Sequence, residues 1–286
     1  MKLDIILITY NQEQYISQAI ESILLQRVND DVQVRVIVAD DCSIDDTLDI
    51  IKSYESKSPF PFLFLENNQN LGISKNYQRA FATCDGDYIA ILEGDDYWSS
   101  PDHLEQHIRF LDAHHECSMS MNNITYMKQE SSKIFAPFWN YTDDVYYVDT
   151  KKQIVEGNQL GNLSACVFRN ACIQALPQSL YDIPIADWML GVMLSQQGLL
   201  AILKESTSVY RTNENSQWAS LSKKKQYKQL LELAKLYDEY QDSRCHEYWK
   251  QFIAKTKKQY RCKLRDWLPP CLYKFLKTIY SQITKT

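Results

Sequence analysis

The sequence feature that most constrains the fold is an apolar run, Tyr88–Leu92, that leads directly into a cluster of acidic residues. Apolar and polar residues do not alternate in this run, which is typical of a strand buried on both faces of a parallel sheet. The acidic cluster, formed by Glu93, Asp95 and Asp96, places three carboxylates within four positions. Because such charges repel one another, the pattern predicts a cation site, with a solvated acidic turn as the alternative.

The position of the acidic cluster favours the cation site, because ligands in open α/β sheets bind outside the carboxyl ends of the strands. Hard oxygen ligands suit Mg²⁺ or Mn²⁺. Gly94, inside the cluster, permits a close approach of the backbone. Since Mg²⁺ is usually held by one or two carboxylates together with substrate phosphates, we expect the ion to arrive on a phosphorylated substrate.

The residues on either side of this strand alternate between strand patterns and helix patterns. Strands are predicted over residues 3–10, 34–39, 62–65 and 88–92, and later over 119–127, 145–148, 162–168, 199–203 and 209–210. Asn11 and Ser74 are predicted N-caps of helices, and Ser43 opens a predicted capping box with Asp46. This order is typical of right-handed parallel crossovers and predicts an α/β fold with a doubly wound, mostly parallel sheet.

The charge of the chain is divided unevenly between its two parts. Residues 222–286 carry 16 Lys+Arg and 6 Asp+Glu, whereas residues 1–221 carry 15 and 30. We therefore predict a catalytic domain over 1–221 and a basic, helical C-terminal region over 222–286. The negative net charge of residues 1–221, called the acidic body below, argues against nucleic acid as a partner. The basic region is suited to an anionic surface.

The cysteines and the hydropathy pattern indicate a cytoplasmic protein. The eight cysteines show neither a C-x-x-C pair nor a disulfide-framework spacing, so they are expected to be reduced thiols. The chain enters a strand directly after Met1, which predicts no signal peptide, and no apolar run approaches the roughly 18 residues that span a bilayer.

Four short motifs, met in this order, resemble the family 2 glycosyltransferases, which are inverting enzymes with the GT-A fold. The motifs are Ile8–Asn11, Val38–Asp45, Asn70–Gly72, and Leu92–Trp98 followed by Pro101. The resemblance covers residues 3–215, and its four motifs are specific only in combination. It implies a nucleotide-sugar-binding part over residues 1–100 and an acceptor-binding part over 101–221.

The resemblance implies a donor site at the ends of the first strands. Asp40 corresponds to the acid that binds the nucleotide base, and a carboxylate accepts the N3–H of uracil or thymine, so a UDP-sugar or dTDP-sugar is expected. Thr9 and Asn11 correspond to positions that line the nucleotide pocket. Lys75 and Asn76 follow the Gly72 turn, where the family approaches the base or the diphosphate; a solvated helix lysine is the alternative for Lys75.

The resemblance also assigns the acidic cluster. Glu93-Gly94-Asp95 stands where the family carries its DxD motif, so Glu93 and Gly94 are expected at the donor and Asp95 is expected to bind the metal. Asp96 is expected to support the metal site or to add a second contact. Arg211 corresponds to a position near the diphosphate, with a salt bridge that closes the fold as the alternative.

The general base implied by the resemblance is Asp187, at the start of a late helix. The helix dipole favours its charged form, which keeps it available to take a proton from a sugar hydroxyl. Members of the family usually have Glu-Asp at this pair of positions, whereas this chain has Ala186-Asp187. A plain N-cap aspartate is the alternative.

These assignments imply an inverting transferase that moves a sugar from a UDP-sugar to an acceptor hydroxyl, with Mn²⁺ or Mg²⁺, in cell-surface polysaccharide or glycolipid assembly. A nucleotidyltransferase and a non-catalytic nucleotide-sugar-binding module remain alternatives. The acceptor is expected to be a saccharide or a lipid-linked saccharide. The amphipathic segment Cys271–Ile283 favours peripheral attachment to the inner face of the membrane, with packing on the acidic body or a homodimer contact as alternatives.

Overall fold

The computed structural model describes residues 1–128, 133–134, 142–184, 187–212 and 221–267. The chain divides into two compact units, Met1–Ala219 and Ser220–Thr286. The first unit is built on a mixed sheet with helices, and the described part of the second unit consists of two helices.

The strands of the first unit form a single sheet. They are β1 (Lys2–Thr9), β2 (Gln33–Asp40), β3 (Phe62–Phe64), β4 (Tyr88–Glu93), β5 (Tyr97–Trp98), β6 (Cys117–Lys128), β7 (Lys133–Ile134), β8 (Val145–Val148), β9 (Cys166–Arg169) and β10 (Leu199–Thr212). Their order is β3-β2-β1-β4-β9-β6-β10-β5, with β7 beside β6 and β8 beside β10.

The prediction of a mostly parallel α/β sheet is confirmed. Strands β1 to β4 pair in parallel, and so do β6 and β10. Strand β9 runs antiparallel between β4 and β6, so β6 and β10 have the same direction as β1 to β4. The carboxyl ends of β1, β2 and β4 consequently meet at the same edge of the sheet.

The central strand β4 explains why its sequence is apolar without alternation. Each residue of Tyr88–Leu92 is buried, because β1 and β9 flank the strand and apolar side chains cover both faces. Burial ends at Glu93, the last residue of the strand, which is partly exposed. The strand therefore delivers the acidic residues to the edge of the sheet.

The helices of this unit lie between the strands in sequence. They are α1 (Ile16–Leu24), α2 (Thr47–Glu55), α3 (Ile73–Thr83), α4 (His103–Ala113), α5 (Thr150–Val155), α6 (Asn170–Gln174) and α7 (Asp187–Ser195). Two 3₁₀ turns cover Leu163–Ala165 and Gln178–Asp182. Helix α1 buries Ile16, Ala19, Ile20 and Ile23, which is the apolar stripe expected from its 3.6-residue period.

The predicted helix caps are wrong at three places. Helix α1 begins at Ile16, and Asn11 lies in a loop with a left-handed φ of 51°. Helix α2 begins at Thr47, so Ser43 is not its cap, and Gly72 rather than Ser74 precedes α3. The cap residues were predicted from local pattern, but Asn11 and Ser43 bond to other loops instead.

The second unit contains helices α8 (Lys223–Tyr240) and α9 (His246–Trp267), close to the helices predicted for this region. The Ser222 hydroxyl accepts a hydrogen bond from the Lys225 N–H and caps α8. The side chains of Tyr237 and Trp249 are fully buried, and Trp249 Nε1 donates to Gln241 Oε1 at 2.9 Å. The predicted amphipathic segment Cys271–Ile283 lies outside the described residues.

None of the helices in the described ranges is long and apolar enough to cross a bilayer. The six cysteines whose side chains are described are all free thiols.

Candidate active site

The candidate site lies where β1, β2 and β4 end. Thr9 is opposite Asp40 in the β1–β2 pairing, and Ile8 is opposite Glu93 in the β1–β4 pairing. This register brings three predicted site residues, Thr9, Asp40 and Glu93, to one edge of the sheet.

Asp40 is buried and held by several donors. Its carboxylate accepts hydrogen bonds from the Thr9 hydroxyl at 2.8 Å, the Ser43 N–H at 2.8 Å and the Ser43 hydroxyl at 2.5 Å. A carboxylate has about four acceptor sites, so these three bonds leave room for one more donor. The orientation of Asp40 is fixed by the last residue of β1 and by the loop that follows β2.

Asn11 joins the loops after β1 and β2. Its N–H donates to the Ser43 hydroxyl at 2.9 Å, and its side-chain oxygen accepts from the Ile44 N–H at 2.9 Å. Asn11 is exposed, so it lies at the surface of the predicted nucleotide pocket. Asp41, the neighbour of Asp40, instead binds the N–H groups of Leu71 and Gly72 and fastens the loop before α3.

Asp95 is the acidic residue with the most open carboxylate in the cluster. It is partly exposed, and Gln12 Nε2 donates to its Oδ1 at 3.0 Å. The N–H of Asp95 also hydrogen-bonds this carboxylate. Burial raises the pKa of Asp95, whereas this hydrogen bond and the charge of Arg211 lower it.

Asp96 has the opposite environment to Asp95. It is fully buried, its Oδ1 accepts from the Arg211 N–H at 2.9 Å, and its Oδ2 accepts from Asn162 at 2.8 Å and Ser164 at 2.7 Å. Burial and the charge of Asp95 raise the pKa of Asp96 to about 7. This geometry suits a residue that supports the loop, the first of the two roles expected for it.

Asn162 and Ser164 form hydrogen bonds to the acidic cluster, and no sequence pattern predicted this role for them. Asn162 Nδ2 donates to Glu93 Oε2 at 3.0 Å as well as to Asp96. The Ser164 hydroxyl also accepts from the Glu93 N–H at 3.0 Å. Both residues belong to the 3₁₀ turn before β9 or flank it, and β9 pairs with β4.

Glu93 accepts a hydrogen bond from Tyr77 in addition to the one from Asn162. The Tyr77 hydroxyl donates to Glu93 Oε1 at 3.1 Å. Burial raises the pKa of Glu93 well above its usual range, and the charges of Asp96, Asp95 and Asp187 raise it further. The effect of Asp187 indicates that the predicted base and the acidic cluster share one electrostatic environment.

Arg211 is buried and binds the loop that carries Asp95 and Asp96, which is called the acidic loop below. Its guanidinium donates to the backbone carbonyl of Asp95 at 2.6 Å and to Gln18 Oε1. The guanidinium carbon lies 5.4 Å and 4.8 Å from the ring centroids of Tyr15 and Tyr97. Such cation–π contacts stabilise a desolvated arginine, so the geometry supports a role in closing the fold, through a carbonyl rather than a salt bridge.

Asp187 is the first residue of α7, as the sequence predicted, and α7 packs against β6 and β10. Its Oδ1 accepts from the Trp188 N–H at 2.8 Å, and the Asn158 side chain also hydrogen-bonds it. Burial raises the pKa of Asp187 to about 6, while these two hydrogen bonds lower it. A carboxylate with this pKa is mostly ionised at neutral pH and is a stronger base than an exposed aspartate.

Lys75 and Asn76 are not brought together with the acidic cluster by any described contact. Lys75 Nζ forms an ion pair with Asp182 at 2.5 Å. Asn76 is buried; its amide nitrogen donates to the Ala39 carbonyl at 2.8 Å, and its oxygen accepts from Arg79 Nε. Both polar atoms of Asn76 are therefore used inside the fold.

The oxygen atoms available as metal ligands in this site are suited to a divalent ion that arrives with a diphosphate. Asp95 offers a carboxylate oxygen, and Gln12 Oε1 is a buried oxygen that lacks a hydrogen-bond partner within the described ranges. The described residues contain no group of three or more Asp, Glu, His and Cys side chains arranged to hold a metal by themselves. Any ion here would depend on substrate oxygens for most of its ligands.

Gly94 is required by close packing, and its substitution gives the first testable prediction. A Cβ at this position would lie 2.8 Å from Thr9 Cγ2 and even closer to Gln12 Oε1. We expect Gly94→Ala to lower the free energy of unfolding by about 1–3 kcal/mol, the usual cost of overpacking, measured by urea denaturation. Gln12→Ala in the Gly94→Ala background should recover part of this loss, and strictly additive effects would contradict the predicted contact.

The sheet topology and an acidic loop at the carboxyl end of β4 are those of the GT-A class of glycosyltransferases. Residues 4–159, more than half of the chain, match the family model described as Glycosyl transferase family 2. The chain belongs to this family, and the predicted resemblance is confirmed.

Two sequence relatives extend the similarity beyond the family match. An uncharacterized protein of Mycobacterium tuberculosis is 30% identical over 220 residues, which are 76% of this chain and 61% of that protein. The putative teichuronic acid biosynthesis glycosyltransferase TuaG of Bacillus subtilis is 26% identical over 208 residues, which are 72% of this chain and 73% of TuaG. The chain thus spans 61% of the length of its mycobacterial relative.

Two solved structures share the fold. Staphylococcus aureus TarS 1–349 in complex with UDP-GlcNAc has a TM-score of 0.63 at 22% identity, covering 82% of this chain and 66% of that one. The mannosyltransferase PcManGT from Pyrobaculum calidifontis in complex with GDP-Man and Mn²⁺ has a TM-score of 0.60 at 14% identity, covering 99% and 80%. At these identities the similarity establishes the fold alone.

Proposed function

We propose that this protein is an inverting glycosyltransferase that moves a sugar from a UDP-sugar to an acceptor hydroxyl in the assembly of a cell-surface polysaccharide or glycolipid. The observation that carries the proposal is the acidic loop at the carboxyl end of β4, in which the partly exposed Asp95 has Gln12 as its one described side-chain donor. Family membership supports sugar transfer, and the donor and acceptor are part of the proposal.

The donor nucleotide is proposed to bind at the ends of β1 and β2. Asp40 has one remaining acceptor site, which suits the N3–H of uracil, and Thr9 and Ser43 hold its carboxylate in place. Thymine presents the same N3–H, so a dTDP-sugar is the second candidate. UDP-GlcNAc is the ligand of the TarS structure, which supports a uridine donor. Asn76 has no part in the proposed pocket, because its amide is used inside the fold.

The diphosphate is proposed to lie over the acidic loop, where Asp95 would hold Mg²⁺ or Mn²⁺ with substrate oxygens completing the ligand set. The ion supplies positive charge that stabilises the departing diphosphate. The conformation of this loop is stabilised by the hydrogen bonds that Asn162 and Arg211 form with Asp96 and with the Asp95 carbonyl. Mn²⁺ in the PcManGT structure supports divalent-metal use in this fold class.

Asp187 is proposed as the general base. Its raised pKa makes it a better proton acceptor than an exposed aspartate and still leaves it ionised at neutral pH. Proton removal from the acceptor hydroxyl as its oxygen attacks the anomeric carbon gives inversion in one displacement. Bonds from Trp188 and Asn158 orient the carboxylate.

The two alternatives differ in chemistry and are separated by one assay. A nucleotidyltransferase would release pyrophosphate, and a non-catalytic binding module would release nothing. We expect purified protein to release UDP from at least one of a panel of UDP-sugars in the presence of Mn²⁺ and a saccharide acceptor, and to stop doing so with EDTA. Binding of UDP without turnover on every donor and acceptor tested would favour the binding module.

The acceptor is proposed to be a saccharide carried on a membrane lipid, reached by peripheral attachment of the cytoplasmic protein. The relative TuaG is described as a putative teichuronic acid biosynthesis glycosyltransferase, which supports a saccharide acceptor. The basic C-terminal region supports this attachment by its charge.

A further inference from the structure

The two helices of the C-terminal unit form an antiparallel hairpin whose register is fixed by aromatic pairs. Tyr227 of α8 stacks on Tyr260 of α9 with ring centroids 3.8 Å apart. Near the turn of the hairpin, Tyr237 lies 5.9 Å from Trp249. The first turns of α8 therefore lie beside the second half of α9.

This register separates charge along the hairpin. Residues 221–230 and 255–267, which lie together at the open end, contain ten Lys+Arg and one Asp. Residues 231–254, around the turn, contain three Lys+Arg and five Asp+Glu. The separation is a property of the folded hairpin, because the two basic segments are far apart in the sequence.

Six of the described lysines at the open end are available to a partner. They are Lys223, Lys224, Lys225 and Lys228 of α8, and Lys257 and Lys258 of α9. All six are exposed, and none forms an ion pair within the described part of the chain. We call these six lysines the basic end.

We propose that the basic end is the surface by which this protein docks on an anionic membrane. Lysines near an anionic leaflet are attracted by its surface potential, and their contributions add. Residues 1–221 have twice as many acidic as basic residues, so the same leaflet repels the body and attraction is confined to the C-terminal unit. The inference rests on the proposed function in one respect, which is that the acceptor is carried on a membrane lipid.

The residues that follow α9 are consistent in charge with this surface. Residues 268–286 add three lysines and no acidic residue. The predicted amphipathic segment Cys271–Ile283 belongs to them. The basic end and this segment are separate candidates for the membrane contact, so an experiment has to distinguish them.

The test is flotation of the full chain with vesicles of phosphatidylcholine alone or with 30% phosphatidylglycerol. We expect binding only to the anionic vesicles at 50 mM NaCl, and loss of binding at 500 mM NaCl because salt screens the attraction. Lys223→Glu, Lys224→Glu, Lys225→Glu and Lys228→Glu, combined in one variant, should lower the partition coefficient by at least about 100-fold. Glutamate near the N-terminus of α8 is favoured by the helix dipole, so this variant is expected to fold.

Three further full-chain variants make the result specific. Lys257→Glu with Lys258→Glu should also weaken binding, because the hairpin places these residues at the same end. A control with the same change of net charge reverses the exposed Lys52, Lys57, Lys151 and Lys204 in the first unit and should bind nearly as the wild type does. Lys274→Glu with Lys277→Glu tests the tail.

Two outcomes overturn the proposal. One is that wild-type protein stays unbound with anionic vesicles at 50 mM NaCl. The other is that the basic-end variant binds as the wild type does while the tail variant loses binding. Release of UDP in solution is measured on the same variants; an active but unbound wild type would refute the docking surface alone, whereas a bound but inactive one would refute the proposed reaction alone.

Discussion

Asp187→Asn is expected to lower kcat by about 10²–10⁴-fold, the usual contribution of a general base. Asparagine has nearly the same size as aspartate and still accepts a hydrogen bond from the Trp188 N–H. Its amide, however, does not take a proton from the acceptor hydroxyl. Because α7 keeps its first turn, the variant should fold normally and lose only the proton-transfer step.

The kinetic split distinguishes a base from a structural cap. We expect the KM for the UDP-sugar to change by less than about threefold in Asp187→Asn, because the proposed donor site lies at the ends of β1, β2 and β4 and not on α7. The matched control is Asp144→Asn, which removes an exposed carboxylate and should leave kcat unchanged. A variant with normal kcat and an unchanged melting temperature would show that Asp187 is a plain N-cap, because asparagine caps a helix as well as aspartate does.

The pH dependence of kcat/KM, which reports the pKa values of the free protein, tests the same residue independently. Burial raises the pKa of Asp187 to about 6, and the base acts only when it is deprotonated. The value of kcat/KM should therefore rise with pH up to about 6 and level off at higher pH. This acidic limb should disappear from the residual activity of Asp187→Asn; a limb that persists would assign the titration to another carboxyl, such as Asp96, whose pKa is about 7.

The parallel sheet was predictable because its signal is local. Strand β4 is apolar at every position since both faces are covered, and this pattern is visible in five consecutive residues. The family resemblance assigned Thr9, Asp40 and Glu93 to the donor site, and they meet in the structure because the carboxyl ends of parallel strands share one edge of the sheet. Strand β9 was predicted as a strand, but its antiparallel place between β4 and β6 depends on pairings that the sequence pattern does not contain.

The supports of the site were only partly predictable, because they come from distant parts of the chain. The resemblance placed Arg211 near the diphosphate, with closure of the fold as the alternative, but not at the Asp95 carbonyl, 116 positions away. Asn162 lies 66 positions from Asp96, and no sequence pattern links the two. The same reason explains the wrong caps, since Asn11 bonds to a loop 33 positions away instead of starting α1.

The adjacent residues Asp95 and Asp96 show the same limit at the level of one residue. Both are aspartates after the same strand, and the sequence predicted both as metal-site residues. In the structure, Asp96 accepts three hydrogen bonds and is fully buried, whereas Asp95 is partly exposed and its described donors are the Gln12 amide and its own N–H. This difference leads to opposite expectations for the two asparagine variants.

Asp96→Asn is expected to act on stability. All the described partners of Asp96 are donors, so a side-chain NH₂ in place of either oxygen would face a donor without an acceptor. Burying such a group costs about 1–3 kcal/mol, and we expect the free energy of unfolding to fall by this amount. Asp95→Asn should leave it within about 0.5 kcal/mol of the wild-type value, as is usual for substitutions away from buried networks.

Asp95→Asn is expected to act on catalysis instead, lowering kcat by about 10²-fold or more, because a neutral amide is a poor ligand for the ion that stabilises the leaving diphosphate. Binding of Mn²⁺ in the presence of UDP, measured by calorimetry, should weaken by more than about 10-fold. Asp102→Asn, seven positions further on, is a suitable control, because this exposed side chain makes no capping bond to α4. Wild-type turnover and Mn²⁺ binding in Asp95→Asn would remove the metal from the proposed reaction, whereas loss of both in a variant of unchanged stability is the result that the open carboxylate of Asp95 predicts.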